Sequence, residues 1–536
     1  MRVADFFCGA GGFSEGFRQA GFEIIFAVDK WEPAINTFKA NKPNCRVRQD
    51  DVIRISRLPD EEFHILVPDT EVIIGSPPCV AFSNSNKSGN GDKSLGIELL
   101  KAYLRIVARK KNKENSILRY WVLENVPNIK KYVQEKYSAA DLELDGDFYL
   151  TPINNSTGIY NAKYFGAPTN RKRFLCGEFP EIQTTCTDEN VMTLRAVLNS
   201  LGEPCNNMDK VIHDCNYKGL CLTKDKLTDH QYLYMLQPFE WETAKRLKED
   251  KGYMGRMSFP ENLDNPARTV MATMSASSRE SMILPVASGG YRLPTVREAA
   301  SMMSFPIDYR FYGQSKGVKH TLVGNAVPPK MSYAVAKAIA LDTGETIPEH
   351  YIPIQHDSEI AFYNLNNIVF EPKIEKSKCD IAKFKYHIPY LIIDAFRVEL
   401  TNYHSDFDKK EFKWDVEIHY SQGKDKARVF CPIIKSELWD KDSLKKWDKF
   451  INSIIPHMCK SYNQFQKVYC MTSEERNVNN YIGPFELLNL VKEYINKNFE
   501  NAPSNEKIYI SDELPNLPKT IGAGYYLLNQ LLTSID

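Results

Sequence analysis

Short apolar runs alternate with helix-period segments through the first part of the chain. Residues 2–7 read as a buried strand, Gly9, Gly11 and Gly12 as a tight loop, and 13–20 as a helix stopped by Gly21. A second strand is expected over 22–28 and a second helix over 32–40. Residues 71–75 form a strand leading into Ser76-Pro77-Pro78-Cys79. Helical periodicity runs over 95–108, and 121–123 is a strand ending at Glu124-Asn125. Alternation of this kind predicts a doubly wound α/β sheet. Residues 148–180 read as two or three further strands. Between 185 and 290 the periodicity weakens and polar residues dominate. From 291 the helical pattern returns, opened by Thr295 and Glu298 at capping-box spacing. A stretch with few apolar runs, 343–357, reads as a linker. Beyond it, 362–370, 386–393, 414–420 and 427–434 read as strands and 444–455 and 485–498 as helices, an additional α+β domain over 358–536.

Composition adds bounds. The 536 residues are too many for one compact domain at about 150 residues each. With 43% hydrophobic and 25% charged residues, wholesale disorder is excluded. Asp5 and the short first apolar run argue against a secretory signal. No stretch approaches the roughly 18 apolar residues of a membrane helix. The 12 cysteines form no CxxC pair, so no metal is expected and reduced thiols in a cytoplasmic compartment are the default. Lys plus Arg and Asp plus Glu each number 68, and a net charge of zero disfavours a polyanion partner on its face. The distribution reverses that reading. Residues 1–340 carry +5 and 341–536 carry −5, and 101–119 hold four Lys and three Arg against Glu114 alone. Local field, not net charge, steers a nucleic acid into a cleft.

Five segments carry candidate chemistry. Asp5-Phe6-Phe7-Cys8-Gly9-Ala10-Gly11-Gly12 is a glycine-rich turn between strand and helix, where a ligand can approach bare backbone. The next strand ends at Asp29, an acid suited to a ribose diol. Gly75-Ser76-Pro77-Pro78-Cys79 holds a thiol in a stiff loop at a strand end, although a lone cysteine is more often an inert small hydrophobe. Glu124-Asn125-Val126 puts a carboxylate at the same sheet edge. Arg171-Lys172-Arg173 sets two guanidiniums on one face of a strand. Gly324-Asn325-Ala326-Val327-Pro328-Pro329 follows the capping box. Singly, each has a structural explanation.

In this order the five resemble the motifs of the C5-cytosine-specific DNA methyltransferase family, over about residues 1–342. The resemblance implies a doubly wound mixed sheet of the AdoMet-dependent methyltransferase type. It divides the chain into a catalytic part (1–184 and 291–342), a smaller target-recognition region (185–290), the linker 343–357 and a C-terminal accessory domain. It implies AdoMet as cofactor, held by Phe7, Gly9, Gly11, Gly12, Asp29, Lys30, Trp31, Asp51, Val52, Pro78, Leu99, Asn325 and Val327. It implies Cys79 as the nucleophile that attacks cytosine C6, Glu124 on the N3 and amino edge of the base, and Arg171 and Arg173 positioning the base and the thiol loop. The base must leave the duplex for this chemistry. The implied partner is double-stranded DNA, bound by a monomer in the bacterial cytoplasm or nucleoid with no membrane contact, and a cognate restriction endonuclease. Arg246, Lys248, Lys251, Arg256, Arg268 and Arg279 are the cations available in the recognition region. The sequence departs from the family at Pro168-Thr169, where Pro-Gln is common. Alternatives are a tRNA cytosine-5 methyltransferase, an inactive DNA-binding regulator, and a nuclease fusion in which Asp394 joins Glu411 and Lys413 at Mg²⁺.

Overall fold

The computed structural model describes residues 1–78, 82, 93–249, 255–368, 370–421, 428–499 and 506–535. Contacts gather these into two compact units, Met1–Leu236 with Pro260–Pro372, and Gln237–Phe259 with Lys373–Asp536.

The first unit is built on a seven-stranded sheet. Its strands are β1 (Arg2–Phe6), β2 (Glu23–Asp29), β3 (Arg46–Gln49), β4 (Val72–Gly75), β5 (Tyr120–Asn125), β6 (Gly158–Asn161) and β7 (Lys172–Glu178), in the order β3-β2-β1-β4-β5-β7-β6. Strands β1 to β5 run parallel, and β7 is antiparallel to both its neighbours, so the sheet is mixed. The inner parallel strands β1, β4 and β5, with β2, are mostly apolar because both faces are covered, whereas the edge strand β3 is polar. Val3, Val72 and Ile74 pack in one layer with Phe13, Phe17 and Val335. Ala4, Phe6 and Ile73 pack in the other with Leu104 and Val107. The helices supplying these layers are α1 (Gly12–Gln19), α4 (Ser94–Lys111) and α8 (Pro329–Thr343). Between them in sequence come α2 (Glu32–Asn41), α3 (Val52–Ser56), α6 (Val296–Met302) and α7 (Lys316–Asn325). Thr295 caps α6 in a complete capping box with Glu298. Parallel strands put their carboxyl ends on one edge, and the loops at 7–11, 29–31, 50–51, 76–78 and 125–126 all leave from it.

The segment after α8 departs from expectation. Residues 362–370, read as a strand, contain only a single helical turn at Leu365–Asn367, with Val369 outside the described residues. Side chains take the place of a neighbouring strand. Asn366 Oδ1 accepts from His230 N and Gln231 N at 2.8 and 2.9 Å, and Asn364 Oδ1 accepts from Asp229 N at 3.0 Å. The expected linker is likewise held, with Ile352 O accepting from Arg18 and Gln19 and Ala40 O accepting from Asp357 N.

The second unit has four antiparallel strands in sequence order, β8 (Lys385–Ile393), β9 (Phe396–Thr401), β10 (Asp415–Tyr420) and β11 (Arg428–Phe430). One face packs on α9 (Pro484–Phe499) and α10 (Lys519–Thr533), burying Ile388, Val398, Ile418, Leu488, Val491 and Leu528. Helix α5 (Pro238–Glu249), from the polar stretch between the arginine pair and the capping box, belongs to this unit. Its Arg246 lies 3.6 Å from the Phe485 ring centre, and its Glu249 accepts from Tyr390 Oη at 2.8 Å. The Asp394, Glu411 and Lys413 of the nuclease alternative pair elsewhere. Asp394 faces Lys507 at 3.3 Å, Lys413 faces Asp415 at 3.2 Å, and Glu411 is exposed. Among the described residues no helix is long and apolar enough to cross a membrane.

Candidate active site

The loop between β1 and α1 turns through three positive-φ residues, Phe7 (58°), Gly9 (51°) and Gly11 (82°). At Gly9 no atom lies within 4 Å of where a side chain would start, so open space borders the backbone there. Gly12 is needed for the opposite reason, since its Cβ would sit 2.2 Å from Val327 O. The 324–329 segment therefore closes directly onto the glycine loop. Tyr309, which no local pattern marks, donates its hydroxyl to Ala10 O.

Asp29, at the end of β2 and expected to bind a ribose diol, also fixes the glycine loop. Its Oδ2 accepts from Gly9 N at 2.9 Å and its Oδ1 from Trp31 N at 2.9 Å. Burial raises its pKa, and those backbone N–H groups partly offset the rise. Each oxygen keeps a further acceptor site for a diol. Asp51 caps α3, accepting from Ile53 N at 2.8 Å and from Lys30 Nζ at 3.0 Å. Val52 is buried and Trp31 is 36% exposed. These residues, with Phe7, Gly9, Gly11 and Gly12, occupy the carboxyl ends of three adjacent strands. That set fits AdoMet: bare backbone and open space for the methionine portion, two acids for hydroxyl and amino groups, and an exposed indole for a purine face. Leu99 lies on α4, outside these loops, and Asn325 is the exposed last residue of α7.

Cys79 lies outside the described residues, but the chain leading to it is firmly placed. Ser76 N and Ser76 Oγ donate to Phe6 O and Phe7 O, both at 3.2 Å. Asn125 Nδ2 donates to Pro77 O at 2.9 Å, and Asn128 Nδ2 to Phe82 O at 3.1 Å. The loop that carries Pro78 is thus tied to the glycine loop on one side and to the Glu124 strand on the other. Asn125, part of the Glu124-Asn125-Val126 segment but given no role of its own there, makes this tie. The nearby thiol that is described, Cys8, is buried, and burial pushes it well above its ordinary pKa.

Glu124 and Arg173 meet across β5 and β7, where Glu124 stands opposite Leu175 and Arg173 lies two residues along. The Arg173 Nε to Glu124 Oε1 distance is 2.9 Å, and the residues are 9% and 5% exposed. Burial raises the Glu124 pKa, opposed by Arg173 and then Arg171. A carboxyl in this position holds its proton to higher pH than an exposed one.

Arg171 falls just before β7 and is hydrogen-bonded to three carbonyls. It donates to Val270 O at 3.1 Å, Gly324 O at 2.9 Å and Ala326 O at 3.0 Å. It therefore locks the 324–327 segment against the strand that carries Arg173. Thr169, in place of the family's glutamine, is fully buried and donates to Arg268 O at 3.1 Å, beside a short parallel ladder of Thr169–Asn170 with Ala267–Arg268. Of the recognition-region cations, Arg268 pairs with Glu261 at 2.8 Å, while Lys251 is not among the described residues. Arg171→Met is expected to lower stability by about 3 kcal/mol or more, because it strands three buried acceptors. Thermal unfolding followed by circular dichroism checks this, and an unchanged midpoint contradicts it.

Residues 1–341 match the family model for C-5 cytosine-specific DNA methylase. The chain is 29% identical over 357 residues to the type II methyltransferase M.MthTI of Methanothermobacter thermautotrophicus, covering 64% of this chain and 98% of the relative. It is 28% identical over 360 residues to M1.HphI of Haemophilus parahaemolyticus, covering 63% and 86% of the two chains. It is 28% identical over 349 residues to M.HgiDI of Herpetosiphon aurantiacus, covering 63% and 94%. All three relatives are named type II methyltransferases.

Proposed function

The chain belongs to the C-5 cytosine-specific DNA methylase family, and on that footing we propose that it methylates C5 of one cytosine within a specific double-stranded DNA sequence. The observation that carries this reading is the buried Glu124–Arg173 pair at the strand edge where Asn125 holds Pro77, one residue before the proline that precedes Cys79. Such a pair recognises a group with both a proton-accepting ring nitrogen and an adjacent carbonyl, as cytosine has. AdoMet supplies an electrophilic methyl group when bound. Phe7, Gly9, Asp29, Trp31 and Asp51 hold it, and Val327 closes the loop behind it.

Cytosine C5 is a poor nucleophile. The Cys79 thiolate bonds to C6, and Glu124 places a proton on N3, so electron density moves to C5. The methyl carbon would bond to C5 as its bond to the AdoMet sulfur breaks, leaving S-adenosylhomocysteine. The C5 proton then leaves to a base such as water, N3 returns its proton to Glu124, and the C6–S bond breaks to release the thiolate. Arg173 holds the Glu124 carboxyl in place. The flipped base is drawn from a duplex whose sequence is read by the 185–290 region. The type II names of the relatives fit a role in marking DNA against a cognate restriction endonuclease. With methyl-labelled AdoMet, label is expected at cytosine C5 in duplex DNA within one recurring sequence. Label on tRNA and none on duplex DNA overturns the reading.

A further inference from the structure

The face of the second unit's sheet opposite its apolar core carries a buried polar cluster that the methyl-transfer reading leaves unused. Glu399 on β9 and Glu417 on β10 are direct cross-strand partners, and His419 follows Glu417 on the same face. All three are buried, at 5%, 3% and 3% exposure. His419 Nε2 lies 2.7 Å from Glu417 Oε2 and 3.0 Å from Glu399 Oε2, and the three ligand atoms fall within 4.8 Å of one another. Two like charges directly opposite on adjacent strands repel, and burial magnifies the cost unless a cation sits between them. The cations that reach the cluster come from its rim. Lys385 Nζ reaches Glu417 at 3.1 Å and Glu399 at 3.4 Å, and Arg397 Nε holds the other Glu399 oxygen at 2.5 Å, yet both side chains are about 30% exposed. Glu399 Oε2 is buried in the cluster and has only ion-pair contacts, to His419 Nε2 at 3.0 Å and Lys385 Nζ at 3.4 Å, neither with good hydrogen-bond geometry. A buried acceptor so loosely satisfied has room for a better partner.

We propose that Glu399, Glu417 and His419 bind one divalent cation of the Mn²⁺ class, joining the two central strands of the second unit. The donor chemistry sets the class. Carboxylates favour hard cations such as Mg²⁺ and Mn²⁺, and one imidazole nitrogen is tolerated better by Mn²⁺. The half-exposed Lys385 marks the route in, and its ammonium competes with the cation for the same two oxygens. The cation binds the folded unit and not the unfolded chain, so it stabilises that unit.

The test uses the full-length chain, stripped with EDTA and titrated with Mn²⁺ while free Mn²⁺ is read by electron paramagnetic resonance. One Mn²⁺ per chain is expected. Glu399→Gln and Glu417→Gln should each weaken binding at least tenfold, with AdoMet binding unchanged. Lys385→Met keeps every ligand and should tighten binding several-fold, which a plain salt-bridge cluster would not do. That variant also serves if a glutamine variant fails to fold. No Mn²⁺ retained by the wild type, wild-type affinity in a folded Glu417→Gln protein, or Lys385→Met binding no tighter than wild type overturns the proposal.

Discussion

Cys79→Ala is expected to reduce methyl transfer to background while AdoMet binds as tightly as before. The reaction needs a nucleophile that can both attack C6 and leave again, and among side chains a thiolate does this best. No substitute is at hand among the described cysteines of the first unit's core. Cys8 sits in the glycine loop but is buried and pushed well above its ordinary pKa, and burial pushes Cys45 up to about 12. The scaffold before Cys79 does not depend on its sulfur. Ser76 hangs on the carbonyls of Phe6 and Phe7, and Asn125 holds Pro77 O, so the alanine chain keeps the same anchor points. The acids and glycines of the AdoMet loops lie at the carboxyl ends of β1, β2 and β3, and the two acids are held by Gly9 N, Trp31 N and Ile53 N. Titration calorimetry with AdoMet and transfer of labelled methyl to duplex DNA separate the two effects. A folded variant that still transfers methyl groups removes Cys79 from the mechanism.

What was legible in the sequence was whatever rests on local pattern. Strands of apolar residues flanked by glycine and proline gave β1, β2, β4 and β5 to within a residue or two, because burial on both faces leaves no polar alternation to misread. The site acids were legible because they end strands. The rest depends on partners distant in sequence. Nothing near Arg171 tells that its guanidinium will be taken up by Val270, Gly324 and Ala326, about 100 to 155 residues later. Residues 362–370 have strand-like apolar spacing, but Asn364 and Asn366 bind backbone at 229–231 and override it. Helix α10 was missed since Gly522 and Gly524 look like breakers. They are instead where the terminal methyls of Ile508 and Leu391 come within 2.6 and 2.8 Å of a would-be Cβ, so the helix packs closely at both positions.

Glu124→Gln should lower turnover by roughly 10²–10⁴-fold, the usual worth of a positioned proton donor. Glutamine has nearly the same shape and can still accept from Arg173, so the β5–β7 pairing and AdoMet affinity should survive. What it lacks is a proton to give N3. The pH profile distinguishes this from a loss of fit. Burial raises the Glu124 pKa against the pull of Arg173 and Arg171, so the carboxyl stays protonated to higher pH than an exposed glutamate would. Activity that needs the protonated form falls as pH rises through that raised pKa. The wild type should therefore show a declining limb on the alkaline side of the carboxylate range, and the glutamine variant should lack it, since an amide does not titrate. Single-turnover rates across pH, on duplex DNA with saturating AdoMet, read both quantities at once. If the variant is slow but keeps the same limb, some other group donates the proton and Glu124 only shapes the pocket. If it is neither slow nor altered in profile, the Glu124–Arg173 pair is a structural tie between two strands, and the reading of this edge as the base-binding site fails with it.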